Sequence, residues 1–571
     1  MITKTFGAWL IIAFTLISCR ANAPVITSID PRIGRIGELV TLTGSNFGTF
    51  GNESFVTIAG VAPTNASYYL WQDNRIVVRI PELGESGLIH VHVRGQRSNG
   101  MLFSNSANVP RPVDGEEMGL QPRITEVSPQ SAAVGSLITI SGNNFGVSRE
   151  ITMPAMSLNG MPLQPRYGVF FSWNFEAGPF NPHVMREPQF IETAEIEAGY
   201  EFWNAREIRV RVPDGAASGN IEIRTPHGSS RPFFFEVSGK PGVKNFRDRR
   251  TYIINYSVDI RVNNAARPNS LYLWMPMPVT SSSQRNVTLV ARNTEPFIEN
   301  HRGVSLFRLS NLNPGANHSI NLSFLVEVYA VETEINPQLI RPAAQASASQ
   351  ALSVMHTQNT ELIPADHPVI RTQVNTIVGG QQNPYLRARA IYNWILNNIE
   401  ITDTVSSGTD VIAAFENRRA CPYTASLLFT TMARAARIPS LPLAGILING
   451  NGDTFRHYWA EIWIDGFGWL PVDPAMGAGA VTIEEPVNPR FTLQENITEE
   501  RDTAAFFFGN SDNRRIAFSR GEVVLSQMES QGRLVSHSPS FSIQNIWEEA
   551  TGGLESYSSL WRDVIITGIY Q

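Results

Sequence analysis

From Pro24 to Ile335 apolar and polar positions alternate in short runs broken by Gly, Asn and Pro, the pattern of half-buried strands joined by tight turns. Ile76–Ile80, Tyr252–Val258 and Leu322–Tyr329 are clear cases, rich in β-branched and aromatic residues. The period changes near Pro384. Ala388, Ile391, Trp394 and Ile395 recur at three- and four-residue steps, and so do Ala425, Leu428, Phe429, Met432 and Ala436 after Pro422. Both stretches predict buried helices. Pro422 suits a first helical position, and Ile438-Pro439 ends the second helix. Strand signals then return. Leu441–Leu447 is one. From His457 to Ile464 the chain alternates, with His457, Trp459, Glu461 and Trp463 on one face. Asp465-Gly466 predicts a two-residue hairpin turn, after which Trp469 to Asp473 runs back alongside. Pairing Ile464 with Phe467 sets His457 opposite Pro474 and turns Asp473 to the other face unless a bulge shifts the register. The chain thus reads as β-rich modules followed by an α+β unit.

Two of the β modules repeat. P-V-I-T-S-I-D-P-R-I-G-R-I-G-E-L-V-T-L-T-G-S-N-F-G from Pro24 matches P-R-I-T-E-V-S-P-Q-S-A-A-V-G-S-L-I-T-I-S-G-N-N-F-G from Pro122 at a shift of 98. Ile76–Pro81 matches Ile208–Pro213 at a shift of 132, so the second copy carries 34 more residues. The P-x-x-G…G-x-x-F-G pattern resembles the IPT/TIG immunoglobulin-like family, which implies two small antiparallel sandwiches with a spacing or surface-ligand role. The extra segment, between Gly146 and Trp203, holds Phe170, Phe171, Trp173, Phe175 and Phe180. These aromatics either contact a partner or the catalytic unit, or fold back on their own sandwich, the commoner fate of aromatic side chains. His90 and His92 share a strand face with no third ligand nearby, so a solvated face explains them better than a metal.

The candidate chemistry sits in the α+β unit. Cys421 precedes its helix, where free N–H groups and the dipole favour a thiolate, and Arg418 and Arg419 add positive charge. His457 and Asp473 follow on the hairpin. A cysteine nucleophile, a histidine base and a carboxylate to orient the base is the arrangement thiol catalysis requires. The competing reading is a small core residue at a helix start and two surface polar groups.

C-x-x-x-A at a helix start, H-x-W-x-E on a strand and W-x-x-x-D-P on the next resemble the transglutaminase-like superfamily of papain-like thiol enzymes. The likeness runs from about Pro384 to Pro489. It implies Cys421 as nucleophile, His457 as general base and acid, and Asp473 as the orienting carboxylate. The segment Ala420-Cys421-Pro422-Tyr423 departs from the family, which often has Gly before the cysteine and a polar residue soon after it. Leu271–Pro278 and Gln284 resemble the β-sandwich that often precedes this unit, and F-F-G-N-S-D-N-R-R-I-A-F-S-R-G from Phe507 to Gly521 resembles a segment that follows the aspartate in some relatives, which implies a place beside the site. The Cys421 N–H is the expected first oxyanion donor. The chemistry needs no cofactor, and no acidic loop of the kind calcium requires stands out.

Composition narrows the partners. The net charge is −6 with 17% charged residues, so no basic surface points to nucleic acid. Lys4, the apolar run Ala8–Ile17 and Leu16-Ile17-Ser18-Cys19 resemble a bacterial lipoprotein signal. That implies cleavage before Cys19, lipidation of Cys19, and a membrane tether in the bacterial cell envelope. An ordinary signal cut near Ala21-Asn22-Ala23 is the alternative. With Cys19 lipidated, Cys421 has no internal disulfide partner.

The expected layout is a signal peptide (1–18), two IPT/TIG-like sandwiches (24–108 and 122–238), a β-sandwich collar (244–335), a transglutaminase-like domain (346–490) and a C-terminal extension (491–571). The expected function is an exported thiol enzyme acting on amide bonds of proteins or peptides through a thioester. Hydrolysis is favoured over acyl transfer to an amine. The alternative from another class is a non-catalytic surface scaffold.

Overall fold

The computed structural model of the protein describes residues 23–105, 121–146, 156–173, 190–342, 350–402, 410–481 and 503–570, less a few short gaps within those ranges. Cys19 and the rest of the leader, Phe175, Phe180, and the linker between the two repeats lie outside the described residues.

The two repeats fold alike. In the first, Val25–Asp30, Leu39–Ser45, Arg75–Arg79 and Tyr68–Gln72 form one sheet in that order; in the second, Arg123–Ser128, Leu137–Asn143, Glu207–Arg211 and Tyr200–Trp203 do the same. Leu39 pairs with Arg79, and Leu137 with Arg211. The two sequence shifts therefore meet in one common register. The Trp71 indole donates to the Phe47 carbonyl at 2.9 Å and the Trp203 indole to that of Phe145 at 3.0 Å, the same bond in each copy. A second sheet closes each sandwich. In the second copy it includes Gly168–Trp173, which pairs with Phe190–Glu192 from the inserted segment. Phe170, Phe171 and Trp173 are buried there. Phe171 thus fills its own sandwich, Phe170 lies under Arg224, and Trp173 packs on Phe246, Tyr329 and Arg285 of the next module.

The collar is built on one long strand, Gly242–Pro276. It pairs with Asn317–Ile335 and Val304–Ser310, and also with Glu548–Trp561 and Ile565–Tyr570 from the end of the chain. The sequence pattern sets these last strands apart as an extension. In the structure they share the collar's sheet and its core, where Leu554 and Val564 pack with Tyr256 and Phe324.

In the α+β unit the helix Pro422–Ala435 packs on a four-stranded sheet, and the helices Pro368–Val378, Pro384–Asn398 and Val411–Asn417 pack on that helix. The sheet order is Gly468–Val472, Thr454–Ile464, Ser440–Ile448, Arg515–Arg520. Ala460, Ile462 and Ile464 face the helices and join Leu428, Phe429 and Met432 in one core. The opposite face is covered by the collar and the second sandwich. Trp463 and Trp469 sit in the core of that sandwich with Val134 and Val212. Gln284 of the collar donates to the Val279 and Ala517 carbonyls and accepts from the Ala517 N–H. The three modules thus share buried contacts.

Candidate active site

The Cys421 helix begins at Pro422, and Cys421 is its extended N-cap residue. The Cys421 N–H donates to Thr424 Oγ1 at 2.9 Å. The single Thr424 hydroxyl proton faces the Cys421 carbonyl at 3.2 Å and Sγ at 3.5 Å. The expected oxyanion donor is therefore already taken by Thr424, because a buried first-turn N–H must find a partner. The two arginines expected beside the thiol are engaged elsewhere. Arg418 lies over the rings of Phe415 and Trp394, and Arg419 pairs with Glu400 at 3.2 Å.

His457 and Asp473 meet. His457 Nε2 lies 2.6 Å from Asp473 Oδ2, with the side chains 1% and 2% exposed. The hairpin register explains it. Ile464 pairs with Gly468, and Ala460 with Val472, so the turn spans Asp465–Phe467 and not two residues. The one-residue shift moves Asp473 onto the face of His457 and Trp459. Gly466 and Gly468 supply the positive φ values, 76° and 98°, that this turn needs.

Asp473 caps the short helix Pro474–Gly477, accepting the Met476 N–H on Oδ1 at 3.0 Å. Its Oδ2 also accepts from Arg515 Nη1 at 2.7 Å. Burial alone would raise the Asp473 carboxyl, but His457, Arg515 and the Met476 N–H together hold it down at about 2. An ionised carboxylate only accepts, so the bond to His457 places the ring proton on Nε2 and leaves Nδ1 as the basic nitrogen.

Arg515 is itself paired with Asp512, and both are buried. Burial pushes the Asp512 carboxyl up, yet Arg515 brings it below its ordinary value. Arg515 comes from the opposite edge strand of the sheet, 42 residues after Asp473. Arg515 and Trp459 border a cavity of about 30 Å³, shared with Gln284 and Ser282. It has room for about one water, so the ionic group is poorly screened.

The Cys421 helix packs on the His457 strand. Tyr423, two residues after Cys421, meets Tyr458, next to His457, at a ring-centroid distance of 5.0 Å. Cys421 is 1% exposed. Among the described residues the thiol's hydrogen-bond partner is Thr424, and no hydrogen bond joins it to His457. The structure thus brings His457, Asp473, Arg515 and Asp512 into one bonded group and sets Cys421 on the adjoining helix.

Elsewhere, His90 bonds the Ser98 carbonyl, and His92 bonds Thr57 and stacks on Phe55. Among the described residues no group of three or more His, Cys, Asp or Glu could hold a metal ion, and no helix is long and apolar enough to cross a membrane.

Comparison with known proteins agrees with this architecture. Residues 371–474 match the Transglutaminase-like superfamily and residues 24–107 match the IPT/TIG domain. The chain therefore carries a transglutaminase-like domain behind an N-terminal IPT/TIG domain. An uncharacterised protein of Haemophilus influenzae is 24% identical over 180 residues, 26% of this chain and 46% of its own length. A cyclomaltodextrin glucanotransferase of Paenibacillus macerans is 26% identical over 122 residues, 21% of this chain and 16% of its own. The chain spans less than half the length of both. Among solved structures, a candidate cysteine protease from Cytophaga hutchinsonii is similar at a TM-score of 0.36 and 13% identity, covering 57% of this chain and 92% of the other. The periplasmic domain of TgpA from Pseudomonas aeruginosa is similar at 0.23 and 14%, covering 38% and 87%.

Proposed function

We propose that the protein is an exported, lipid-anchored thiol enzyme of the bacterial cell envelope that cleaves amide bonds of proteins or peptides. Cys19 carries the lipid, and Cys421, His457 and Asp473 carry the chemistry. The observation that supports this reading best is the buried His457–Asp473 pair. Its carboxylate is kept ionised and its second oxygen is fixed by a backbone N–H. That is the arrangement that makes the far ring nitrogen a base.

In this mechanism Nδ1 of His457 takes the Cys421 proton, and the sulfur attacks the amide carbonyl. The tetrahedral intermediate collapses as His457 returns that proton to the leaving amine, and a thioester remains. His457 then removes a proton from water, which attacks the thioester, and the acid leaves as the thiol is restored. An amine in place of water gives acyl transfer from the same thioester. The Cys421 N–H can serve the oxyanion once the Thr424 hydroxyl gives it up. Hydrolysis is the favoured outcome, and the IPT/TIG sandwiches hold the unit off the membrane or bind a surface ligand.

The second reading is an inert copy of the fold in a binding scaffold. The deep burial of Cys421 and its bond to Thr424 favour it. A library of peptide amides, offered with and without a primary amine, separates these readings. Hydrolysed product, unchanged by amine and lost in Cys421→Ala and His457→Ala, supports the peptidase. Amine adducts move the assignment to transfer. Equal turnover in the parent and Cys421→Ala overturns the enzyme.

A further inference from the structure

Asp473, Arg515 and Asp512 form a line of alternating charge that ends on His457. All four side chains are at least nine-tenths buried. Two carboxylates against one guanidinium leave one unit of negative charge, which a protonated imidazole cancels. Take Asp512 away and Arg515 neutralises Asp473, so His457 faces a pair with no net charge. Take Arg515 away and two buried carboxylates face the ring with nothing between them. Charges buried this deeply are screened far less than charges at the surface.

The neighbouring charges do not disturb this count. Glu461 on the His457 strand is paired with Arg520, and Lys244 with Asp214. Arg456 pairs with Asp563 near the surface. Arg514 gives its backbone N–H to Asp512, while its side-chain charge acts on Tyr252. The helix that covers the strand carries Tyr423 and Arg434 beside Cys421: burial pushes the Tyr423 hydroxyl up to about 12, so it stays neutral, and Arg434 donates to the Ser440 and Gln358 carbonyls.

We propose that Arg515 and Asp512 are positioning residues for the proposed active site: Arg515 fixes the Asp473 carboxylate against His457, and Asp512 restores the negative charge that Arg515 removes, so that the cluster accommodates an imidazolium. The role in turnover rests on the thiol-enzyme reading, whereas the balance of charge is a property of the folded chain whether or not it turns over. A residue that merely held the fold together would not shift the ring's titration in a direction set by its charge.

The test follows the titration midpoint of the His457 ring through its imidazole NMR resonances in the full chain, alongside the pH profile of kcat/KM. Asp512→Asn lowers the midpoint by about one pH unit and Arg515→Met raises it by about one, the size expected for one charge at this range in a protein interior. The double variant has the parent's net charge and returns to within about 0.3 unit of it. If Arg515→Met does not fold, Asp512→Asn and the double variant decide alone. Arg515→Lys keeps the charge but not the planar fork; its midpoint stays with the parent while kcat/KM falls about tenfold. A midpoint that Asp512→Asn leaves in place or raises overturns the proposal, as does a double variant that stays shifted. Intact shifts with no turnover in any variant sink the enzyme reading and leave the charge assignment standing.

Discussion

Lys244 donates to Asp214 Oδ1 at 2.5 Å, and the same ammonium donates to the Trp469 carbonyl at 2.7 Å. Asp214 also accepts from Ser282 at 2.6 Å. One buried ion pair therefore ties the second sandwich, the collar and the strand that leads to Asp473. Removing one partner strands a buried charge, which costs about 3–5 kcal/mol. Lys244→Met should lower the unfolding free energy by that amount in urea titration. Lys244→Met with Asp214→Leu should recover most of the loss, because no lone charge is left. Equal losses in the single and double variants would contradict this account.

Gly468 lies against the same aspartate. Its φ is +98°, and a Cβ at this position would overlap Asp214 Oδ1. Gly468→Ala meets both the unfavourable backbone region and the clash. It should cost more than about 2 kcal/mol and displace Asp473 along with its strand. Gly452→Ala is the control. Gly452 also has positive φ, but a Cβ there would meet no atom within 4 Å, so its cost should stay near about 1 kcal/mol. Thermal unfolding of the two variants checks the difference.

These contacts explain what the residues show by themselves and what they do not. The repeat is legible because strand alternation and turn glycines are local, and two copies at fixed shifts confirm each other. The helix after Pro422 is legible for the same reason. The register of the hairpin is not. Asp465-Gly466 signals a two-residue turn, but Phe467 is drawn into the turn, with its ring under Lys244 at 4.8 Å and Gly468 held to Asp214. A distant module thus sets whether Asp473 faces His457. Arg515 and Asp512 are legible only in part: the segment Phe507–Gly521 that holds them is expected beside the site, but their bonds to Asp473 follow only from the strand order of the sheet. The polar run N-S-D-N-R-R within that segment does not show which of its charges turns inward until its pairing is known. The charges near Cys421 mislead, since Arg418 and Arg419 have aromatic and acidic partners of their own.

Acid should loosen the candidate site in a defined window. The folded Asp473 carboxyl is held at about 2, below its ordinary value of 3.8. A depressed carboxyl adds stability that is complete above the unfolded value and is lost as pH falls from about 4 to about 2. The shift corresponds to about 2 kcal/mol. Asp473→Asn should therefore be less stable than the parent at pH 6, with the gap closing as pH drops through that window. Urea unfolding at a series of pH values measures it; a gap independent of pH would refute it.

Thr424 carries a separate prediction, since it satisfies the Cys421 N–H in a fully buried position. Thr424→Val has nearly the same shape but leaves that N–H without a partner, a cost of about 1–3 kcal/mol. Thr424→Ser keeps the hydroxyl and should recover most of it. If the N–H also serves the oxyanion, Thr424→Val loses stability without a matching loss of kcat. Chemical denaturation and single-turnover kinetics on the two variants read the two effects apart.

The end of the chain should prove indispensable to the collar. Glu548–Trp561 pairs with the long strand from Val258 to Leu273, and Ile565–Tyr570 covers its first half from Thr251 to Asn255. Ending the chain after Ile546 would bare one edge of that strand over both stretches and remove Trp547, Leu554 and Val564 from the core. Unpaired edges with apolar faces invite association. The loss would also reach the His457 strand, because Thr454 Oγ1 donates to the Val564 carbonyl and Arg456 pairs with Asp563. The truncated protein should be insoluble or rapidly cut by protease within the collar. The first sandwich alone, from Pro24 to Asn105, should still fold around its own core of Val40, Leu42, Phe47 and Val56. A soluble, protease-resistant truncation with native near-ultraviolet dichroism would show that the terminal strands only decorate the collar and do not hold it together.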